Sequence, residues 1–370
     1  MLKKIKQTAL RAFKMSRGFS LVESSRWRCE RLLILAYHGV SIEDEHLWDP
    51  SQYFSLDEFH TRFQLIKDGG YNVLPLDEAL QRLWTDNLPP KSIALTFDDG
   101  HYCFYKRIFP LIREFGFPAT VYIATFYAQY QRPIFDGASS YILWKGRDSV
   151  LDGRAIIAQD IKFDLGTLNS RRQAWSCIRD FAGRNKLSAE EKDALLARLA
   201  KHLRVDFEEM LAKRVLHVMK PAEVSEIAEA GIDVQLHTHR HRTPDQRALF
   251  IREIQDNRRA IMEYTGKTAA HFCYPSGVHC TSFFPWLKEC GVISATTTET
   301  GLASRSSGPF TLPRLIDTSF LSPIEFEGWL TGVAHCLPNR PALEAISKTS
   351  RAGVSRRRAE RRNWSLHASK

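Results

Sequence analysis

Two adjacent carboxylates stand directly after a predicted strand, in the segment Thr96-Phe97-Asp98-Asp99-Gly100. Neighbouring carboxylates repel one another, so the pair requires a compensating positive charge, and a divalent metal ion is the leading candidate. Gly100 lets the backbone turn tightly behind them. A solvated Asp-Asp-Gly turn is the alternative, because Asp and Gly are ordinary turn residues.

A second chemically distinctive segment is His237-Thr238-His239-Arg240-His241, again at the end of a predicted strand. A His-x3-His pair and an Asp from elsewhere offer a metal two nitrogens and one oxygen, and leave positions open for water and substrate. Two alternatives carry no metal: a polar loop facing solvent, or alternating strand positions that hold His237 and His239. Together with the Asp pair, the segment favours a metal site.

The elements that must position these residues alternate between short apolar runs and helical patterns, which predicts an α/β fold built as a distorted or incomplete (β/α) barrel. Catalytic groups gather at the carboxyl ends of barrel strands, where both segments fall. Residues 126 to about 218 interrupt the alternation and predict a helical insertion on the barrel. Strands are predicted at 32–40, 92–97, 119–125, 232–238, 269–275, 292–298 and 311–316, and helices at 56–67, 76–84, 104–114, 188–203, 221–230 and 245–264.

The combination of TFDDG with a later His-x3-His resembles the polysaccharide deacetylase family, carbohydrate esterase family four, with its chitooligosaccharide-deacetylase homology domain. Three further segments agree with it: ILAYHGV at 34–40, FPATVYIAT at 117–125 and FCYPSG at 272–277. The resemblance spans residues 32 to about 318, apart from the insertion. It implies a distorted (β/α) barrel and metal-dependent hydrolysis of N-acetyl, sometimes O-acetyl, groups on sugars.

The resemblance also implies roles for individual residues. Asp98 would be the general base, and Asp99, His237 and His241 would be the metal ligands, with His239 outside the ligand set. Zinc is the expected ion, and the same ligands also suit cobalt or nickel. The substrate class implied is an N-acetylated sugar, oligosaccharide or glycolipid.

The chain departs from the family pattern at the acid and at the partner of the base. Cys273 stands where the family has the Arg that pairs with the base. No usual acid His is found, so His38, at the end of the first strand, is the candidate catalytic acid, with strand capping as the alternative. Arg314 could bind substrate or supply the missing positive charge, and a structural ion pair is equally compatible. Tyr274 and Ser276 are expected to contact the substrate.

The basic character of the chain is concentrated at its ends. Against 52 Lys and Arg there are 42 Asp and Glu, and residues 1–31 and 348–370 each carry a net charge of +7. The barrel, placed at 32–335, is therefore slightly acidic, which argues against a specific nucleic-acid groove. The basic N-terminal segment and C-terminal tail are either solvated ends or contacts to an anionic membrane or to nucleic acid.

Cysteine usage and the N-terminus bear on location. The seven cysteines include no CxxC pair, and scattered thiols suit a reducing compartment. The N-terminus is basic but lacks the apolar stretch of a secretory signal, and reads as a short amphipathic helix. A cytoplasmic location, with possible peripheral membrane contact, is the resulting expectation.

Two other functions remain open at this point. The same water-activating centre could hydrolyse another acyl amide or ester, because the sequence does not define the substrate pocket. A carbohydrate-binding barrel without activity is the alternative from a different class, although a binding protein would have no need of all three metal ligands and a base.

Overall fold

The computed structural model describes residues 2–337, and its centre is a curled, mainly parallel sheet. The predicted C-terminal tail at 348–370 lies outside the described residues. The strands are β1 Arg31–Tyr37, β2 Gly39–Val40, β3 Tyr53–Phe54, β4 Asn72–Val73, β5 Ser92–Phe97, β6 Thr120–Ile123, β7 Val150–Asp152, β8 Lys162–Asp164, β9 Asp233–Leu236, β10 His271–Cys273, β11 Ser294–Thr296, β12 Ala303–Ser304 and β13 Leu315–Ile316.

Helices surround this sheet and also form a lobe of their own. They are α1 Leu2–Met15, α2 Gly18–Glu23, α3 Arg26–Cys29, α4 Glu45–Trp48, α5 Leu56–Asp68, α6 Leu76–Trp84, α7 Phe109–Phe115, α8 Thr125–Tyr130, α9 Phe135–Lys145, α10 Gly153–Ile157, α11 Leu168–Arg184, α12 Ala189–His202, α13 Phe207–Ala212, α14 Pro221–Glu229, α15 Arg247–Thr265, α16 Phe284–Glu289 and α17 Pro323–Leu330. A π-helical turn, Phe104–Ile108, leads into α7.

The sheet closes into an irregular barrel. Its parallel strands follow the order β11-β10-β9-β6-β5-β1-β13, while β4 adds to β5 and β12 pairs antiparallel with β1. Leu312, just before β13, forms an isolated parallel β-bridge with Thr296 of β11. The segment that contains Leu312 and β13 therefore links the first and last strands of this order. The predicted distorted (β/α) barrel with a helical insertion is confirmed.

Local sequence explains the elements that carry the site. Strands β1 and β5 are buried almost throughout, as expected for parallel strands covered on both faces. Helix α5 buries Phe59, Phe63 and Ile66 against them and begins with a capping box between Ser55 and Glu58. Several strands end earlier than predicted, because residues beyond their carboxyl ends turn into the loops of the site.

The insertion forms a helical lobe, residues 135–212, with its own apolar core. Side chains of α9, α11 and α12 meet there, and the hairpin β7–β8 packs against them. Tyr53 and Cys103 of the barrel belong to the same cluster, so the lobe is seated on the barrel. The chain returns at Val218, which bridges His101 beside the Asp pair.

The amphipathic N-terminal helix predicted from sequence is α1, which packs along α17. Within residues 2–337, no helix has both the length and the apolar character needed to cross a membrane. All seven cysteines fall in this range and are unpaired.

Candidate metal centre

The turn after β5 sends its two carboxylates to different partners. Asp98 donates its backbone N–H to the Tyr37 carbonyl of β1, 2.8 Å away, and so stays in register with the sheet. Asp99 and Gly100 then adopt left-handed φ angles of 69° and 74°. A Cβ at residue 100 would lie 2.5 Å from Ile123, so glycine is required by space as well as by backbone angle.

The turn after β9 brings two of the three histidines together. Thr238 and His241 have φ angles of 62° and 52°, which folds the segment back on itself. The rings of His237 and His241 consequently lie 4.9 Å apart between centroids. Neither an extended strand nor a solvated loop describes this segment, because His237 is buried and its backbone N–H donates to Asn257.

Asp99, His237 and His241 converge. The Nε2 atoms of both histidines lie 3.0 Å from Asp99 Oδ1, and the three potential ligand atoms are within 4.8 Å of one another. The Nδ1 of His237 faces the Cys273 carbonyl at 2.8 Å, which fixes the ring and aims Nε2 at Asp99. Two imidazole nitrogens and a carboxylate oxygen suit a borderline divalent ion such as zinc, cobalt or nickel.

The electrostatics of Asp99 favour its ligand form. Burial alone would raise the pKa of this carboxyl, but His241, His101 and His237 together hold its pKa well below the ordinary value. Because the side chain of His241 is 32% exposed, the cluster opens to solvent on that side. The cluster therefore presents an ionised Asp99 carboxylate on a side that is open to solvent.

His101 is a contributor that sequence reasoning missed. This imidazole is buried, and its Nε2 lies 3.2 Å from Asp99 Oδ2, the carboxylate oxygen that does not face the other two histidines. Holding that oxygen orients Asp99 and leaves Oδ1 for the cluster. Its position directly after TFDDG is the signal that could have identified it.

Asp98 is held by a buried arginine. Nη1 and Nη2 of Arg314 donate to the two carboxylate oxygens, both at 2.8 Å. Burial opposes the charge on Asp98, yet Arg314 lowers the pKa of this carboxyl below its ordinary value. Arg314 is 0% exposed, and its Nε donates to the Thr297 carbonyl. The expected substrate-binding role of Arg314 is therefore corrected to positioning of Asp98.

Cys273 stands where the family resemblance places an Arg beside the base, and its contacts show how Arg314 takes that place. Its Sγ lies 3.1 Å from Nη2 of Arg314 and 3.6 Å from Oδ2 of Asp98. The small thiol leaves room for the guanidinium, which reaches Asp98 from the segment before β13 rather than from β10. The positive charge beside Asp98 is therefore retained, although it comes from a different strand.

The polysaccharide deacetylase family model matches residues 85–147 and 190–294. Both halves of the site, Asp98-Asp99 and the histidine segment, lie in the matched ranges. Over these ranges the chain matches the polysaccharide deacetylase family. The unmatched residues between the two ranges belong to the helical lobe, which separates the two halves of the deacetylase motif in sequence.

Similarity to individual deacetylases is local in sequence. Poly-β-1,6-N-acetyl-D-glucosamine N-deacetylase of Escherichia coli is 28% identical over 101 residues, 27% of this chain and 15% of that protein. The polysaccharide deacetylase YxkH of Bacillus subtilis is 32% identical over 94 residues, 25% of this chain and 32% of that protein. The chain therefore matches far less than two thirds of either relative.

Solved deacetylase structures share the fold over nearly their whole length. Streptococcus pyogenes deacetylase PplD in complex with acetate superposes with a TM-score of 0.54 at 17% identity, covering 83% of this chain and 99% of that one. IcaB from Ammonifex degensii gives a TM-score of 0.52 at 15% identity, covering 81% and 97%. These likenesses support the barrel architecture.

The loop after β10, residues 274–277, differs from the sequence expectation of two substrate-contacting side chains. Tyr274 is 1% exposed, packs on Phe272 and donates its hydroxyl to the Phe310 carbonyl, so it is a core residue and cannot stack on a sugar. Ser276 is exposed, with a left-handed φ of 55°. The amide N–H groups of Tyr274 and Gly277 donate to protein carbonyls. Substrate contact at Ser276 stays a prediction.

His239 and His38 are the two other histidines for which the sequence analysis made a prediction. His239 lies outside the ligand cluster, with its Nδ1 2.9 Å from Thr125 Oγ1, as the family resemblance implies. His38 follows β1 at the same barrel end as the Asp pair. Burial lowers the pKa of His38, and the charges of Asp99 and Asp98 oppose that decrease. Its role as the acid stays a prediction.

Proposed function

We propose that this chain is a metal-dependent deacetylase that hydrolyses N-acetyl groups on a sugar of a polysaccharide or glycolipid. The observation that carries the proposal is the pairing of two sites on one turn: a three-ligand cluster on Asp99 and an arginine-bound carboxylate at Asp98. One offers a place for a divalent ion and the other offers a base beside it.

The ligands would be Asp99, His237 and His241, with zinc as the ion that best suits two imidazoles and one carboxylate. A divalent cation there supplies Lewis-acid polarisation of the acetyl carbonyl and activation of water. His101 keeps Asp99 oriented through its second oxygen, and the Cys273 carbonyl fixes the ring of His237. These partners leave the ligand atoms little freedom to turn away.

Asp98 accepts the proton of the attacking water. Arg314 keeps the carboxyl ionised at neutral pH and fixes its orientation, while Oδ1, which does not face the Cys273 thiol, retains a second lone-pair direction. Attack on the acetyl carbon and cleavage of the C–N bond release acetate and a sugar amine. The leaving nitrogen requires a proton, for which His38 is the proposed donor.

The substrate proposal rests on the relatives. The Escherichia coli relative acts, by its name, on poly-β-1,6-N-acetyl-D-glucosamine, and its similarity covers part of the present chain. An N-acetylglucosamine polymer or oligomer is therefore the first substrate to test, with glycolipid-linked N-acetyl sugars next. Hydrolysis of O-acetyl groups would use the same residues.

The test measures acetate release from β-1,6- and β-1,4-linked N-acetylglucosamine oligomers, with metal content determined on the same sample. Metal-loaded protein should release acetate, chelator-treated protein should not, and reloading should restore activity. His237→Ala should lose both metal and activity, whereas His239→Ala, the matched control two residues away, should keep its metal. Metal-loaded protein that binds these sugars without releasing acetate would instead favour the carbohydrate-binding barrel.

A further inference from the structure

Helix α1 packs on the protein through a mostly polar face and exposes its apolar face, the reverse of an ordinary surface helix. Its body-facing stripe is mostly polar: Lys3 donates to the Phe320 carbonyl, Gln7 to Glu325, and Lys14 pairs with Glu327. Leu10 is the apolar anchor in that stripe, buried with Phe19. Stability of the packed helix therefore rests on one leucine and several polar bonds.

The opposite face of α1 is apolar and exposed. Ile5, Ala9 and Ala12 follow the i, i+4, i+7 spacing of one helix face, and all three are exposed. Ile5 is 58% exposed. Nearby, Phe13, Met15 and Leu21 are also exposed, which extends the apolar surface around the end of the helix. A helix that met only water on this side would carry polar residues there.

Basic side chains border this apolar stripe. Lys4 and Arg11 are exposed on one flank, and residues 1–22 contain no Asp or Glu. Lys6, on the other flank, is half-buried and lies 3.8 Å from a carboxylate oxygen of Glu325 on the protein body. Long basic side chains can lie along an apolar surface while their charges reach lipid headgroups. A stripe of apolar residues between rows of cations is the pattern of a helix that lies in the plane of an anionic membrane.

We infer that α1 is a membrane-docking surface whose partner is a bilayer rich in anionic lipids. A second copy of the chain is disfavoured, because a symmetric contact would bring like-charged faces together. Nucleic acid would leave the apolar stripe in water. The amino end of α1 lies beside Phe320, in the loop after β13, so the docked helix begins at the barrel end that carries the candidate metal centre.

The experiment is co-sedimentation of the full chain with phosphatidylcholine vesicles, with and without phosphatidylglycerol. Binding is expected only with phosphatidylglycerol and should weaken as salt rises, because surface charges are screened. Lys4→Gln/Arg11→Gln should weaken binding about 30-fold, as two cations near an anionic surface are lost. Ile5→Gln/Ala9→Gln, which keeps the charge, should weaken it about tenfold.

The matched controls are on the lobe. Lys162→Gln/Arg172→Gln removes two exposed cations, and Val150→Gln removes an exposed apolar side chain; both should bind as wild type does. Equal binding to uncharged vesicles, or equal losses in the lobe controls, would overturn the proposal. So would a concentration-dependent dimer, or tight binding to a DNA duplex, that Ile5→Gln/Ala9→Gln abolishes without any vesicle binding. Acetate release from a soluble oligomer should be unchanged in every variant, which separates this test from the deacetylase proposal.

Discussion

The carboxyl end of the barrel, here called the mouth, and the inserted lobe bury different kinds of side chain. At the mouth, Asp98, Arg314, His101 and His237 are all nearly inaccessible to solvent. Between residues 135 and 212 the buried polar side chain is Ser139 alone, and the rest of the lobe core is apolar. The lobe thus has an apolar core, whereas the mouth of the barrel buries charged side chains.

The difference shows where stability is given up for chemistry. Burying an ion pair costs desolvation free energy that the attraction between the partners often does no more than recover. Apolar burial in the lobe is favourable without such compensation. The lobe should therefore respond to mutation through its packing, and the mouth through its charge balance. Four sets of variants test that contrast.

The largest expected effect is at the base. Asp98→Asn should lower kcat by about 100- to 10,000-fold, the usual contribution of general acid–base catalysis, while metal content stays near that of wild type. It should also destabilise the fold by about 3–5 kcal/mol, because Arg314 becomes an uncompensated buried charge. Steady-state kinetics, metal analysis and denaturant unfolding measure the three quantities.

A second variant separates the two consequences of that change. Asp98→Asn/Arg314→Met removes both charges and should recover most of the unfolding free energy without any recovery of kcat. If the double variant were as unstable as the single one, charge balance would not be what governs the mouth. Unchanged kcat in Asp98→Asn would remove the general-base assignment.

The next effect compares two buried leucines. Leu199→Ala in the lobe and Leu95→Ala in β5 should each cost about 2–5 kcal/mol of unfolding free energy. Only Leu95→Ala should weaken metal binding, because β5 leads directly into Asp98 and Asp99. Denaturant unfolding and calorimetric metal titration measure both properties. Equal loss of metal affinity in Leu199→Ala would show that the lobe shapes the metal centre.

The third effect concerns the partner of Asp99. His101→Gln should weaken metal affinity about 10- to 100-fold, as loss of groups that orient a ligand commonly does. Competition with a chromophoric chelator measures this affinity without any substrate. His60→Gln, on the barrel helix α5, is the control and should bind metal normally. Unaltered affinity in His101→Gln would make its contact with Asp99 merely structural.

The smallest effect lies at the junction of the two regions. Burial lowers the pKa of His217 to about 4, against an ordinary value of about 6.5. The unfolded state thus binds more protons between these values, so stability falls as pH decreases, by about 2 kcal/mol at pH 5. His217→Gln should remove this loss in unfolding measured from pH 7 to 5, whereas exposed His202→Gln should follow wild type.

The sequence allowed prediction of those site residues that directly follow a strand. Asp98-Asp99 and the histidine segment each follow a buried strand, and parallel strands bring such ends to one rim. The boundaries of α5 and α6 could be predicted to within a residue because amphipathic spacing and end signals agree there. The site itself required only that the carboxyl ends of β5 and β9 lie on the same rim, with β6 between them.

What could not be predicted depended on contacts across the barrel. The choice between ion pair and substrate contact for Arg314 depends on which way its side chain points, which composition does not encode. Tyr274 was expected to face a sugar, but its ring turns into the core and its hydroxyl meets the Phe310 carbonyl. His101 was overlooked because its partner oxygen becomes defined only once Asp99 has turned toward the other histidines.

Closure of the barrel has a consequence for when Asp98 acquires its counter-ion. The segment that joins the two ends of the strand series also delivers Arg314, which is among the last barrel residues to be synthesised. Until that segment docks, Asp98 lacks its counter-ion. Assembly of the final strand thus also completes the charge pair of Asp98, and a nascent chain that has not reached Arg314 holds that carboxylate without its partner.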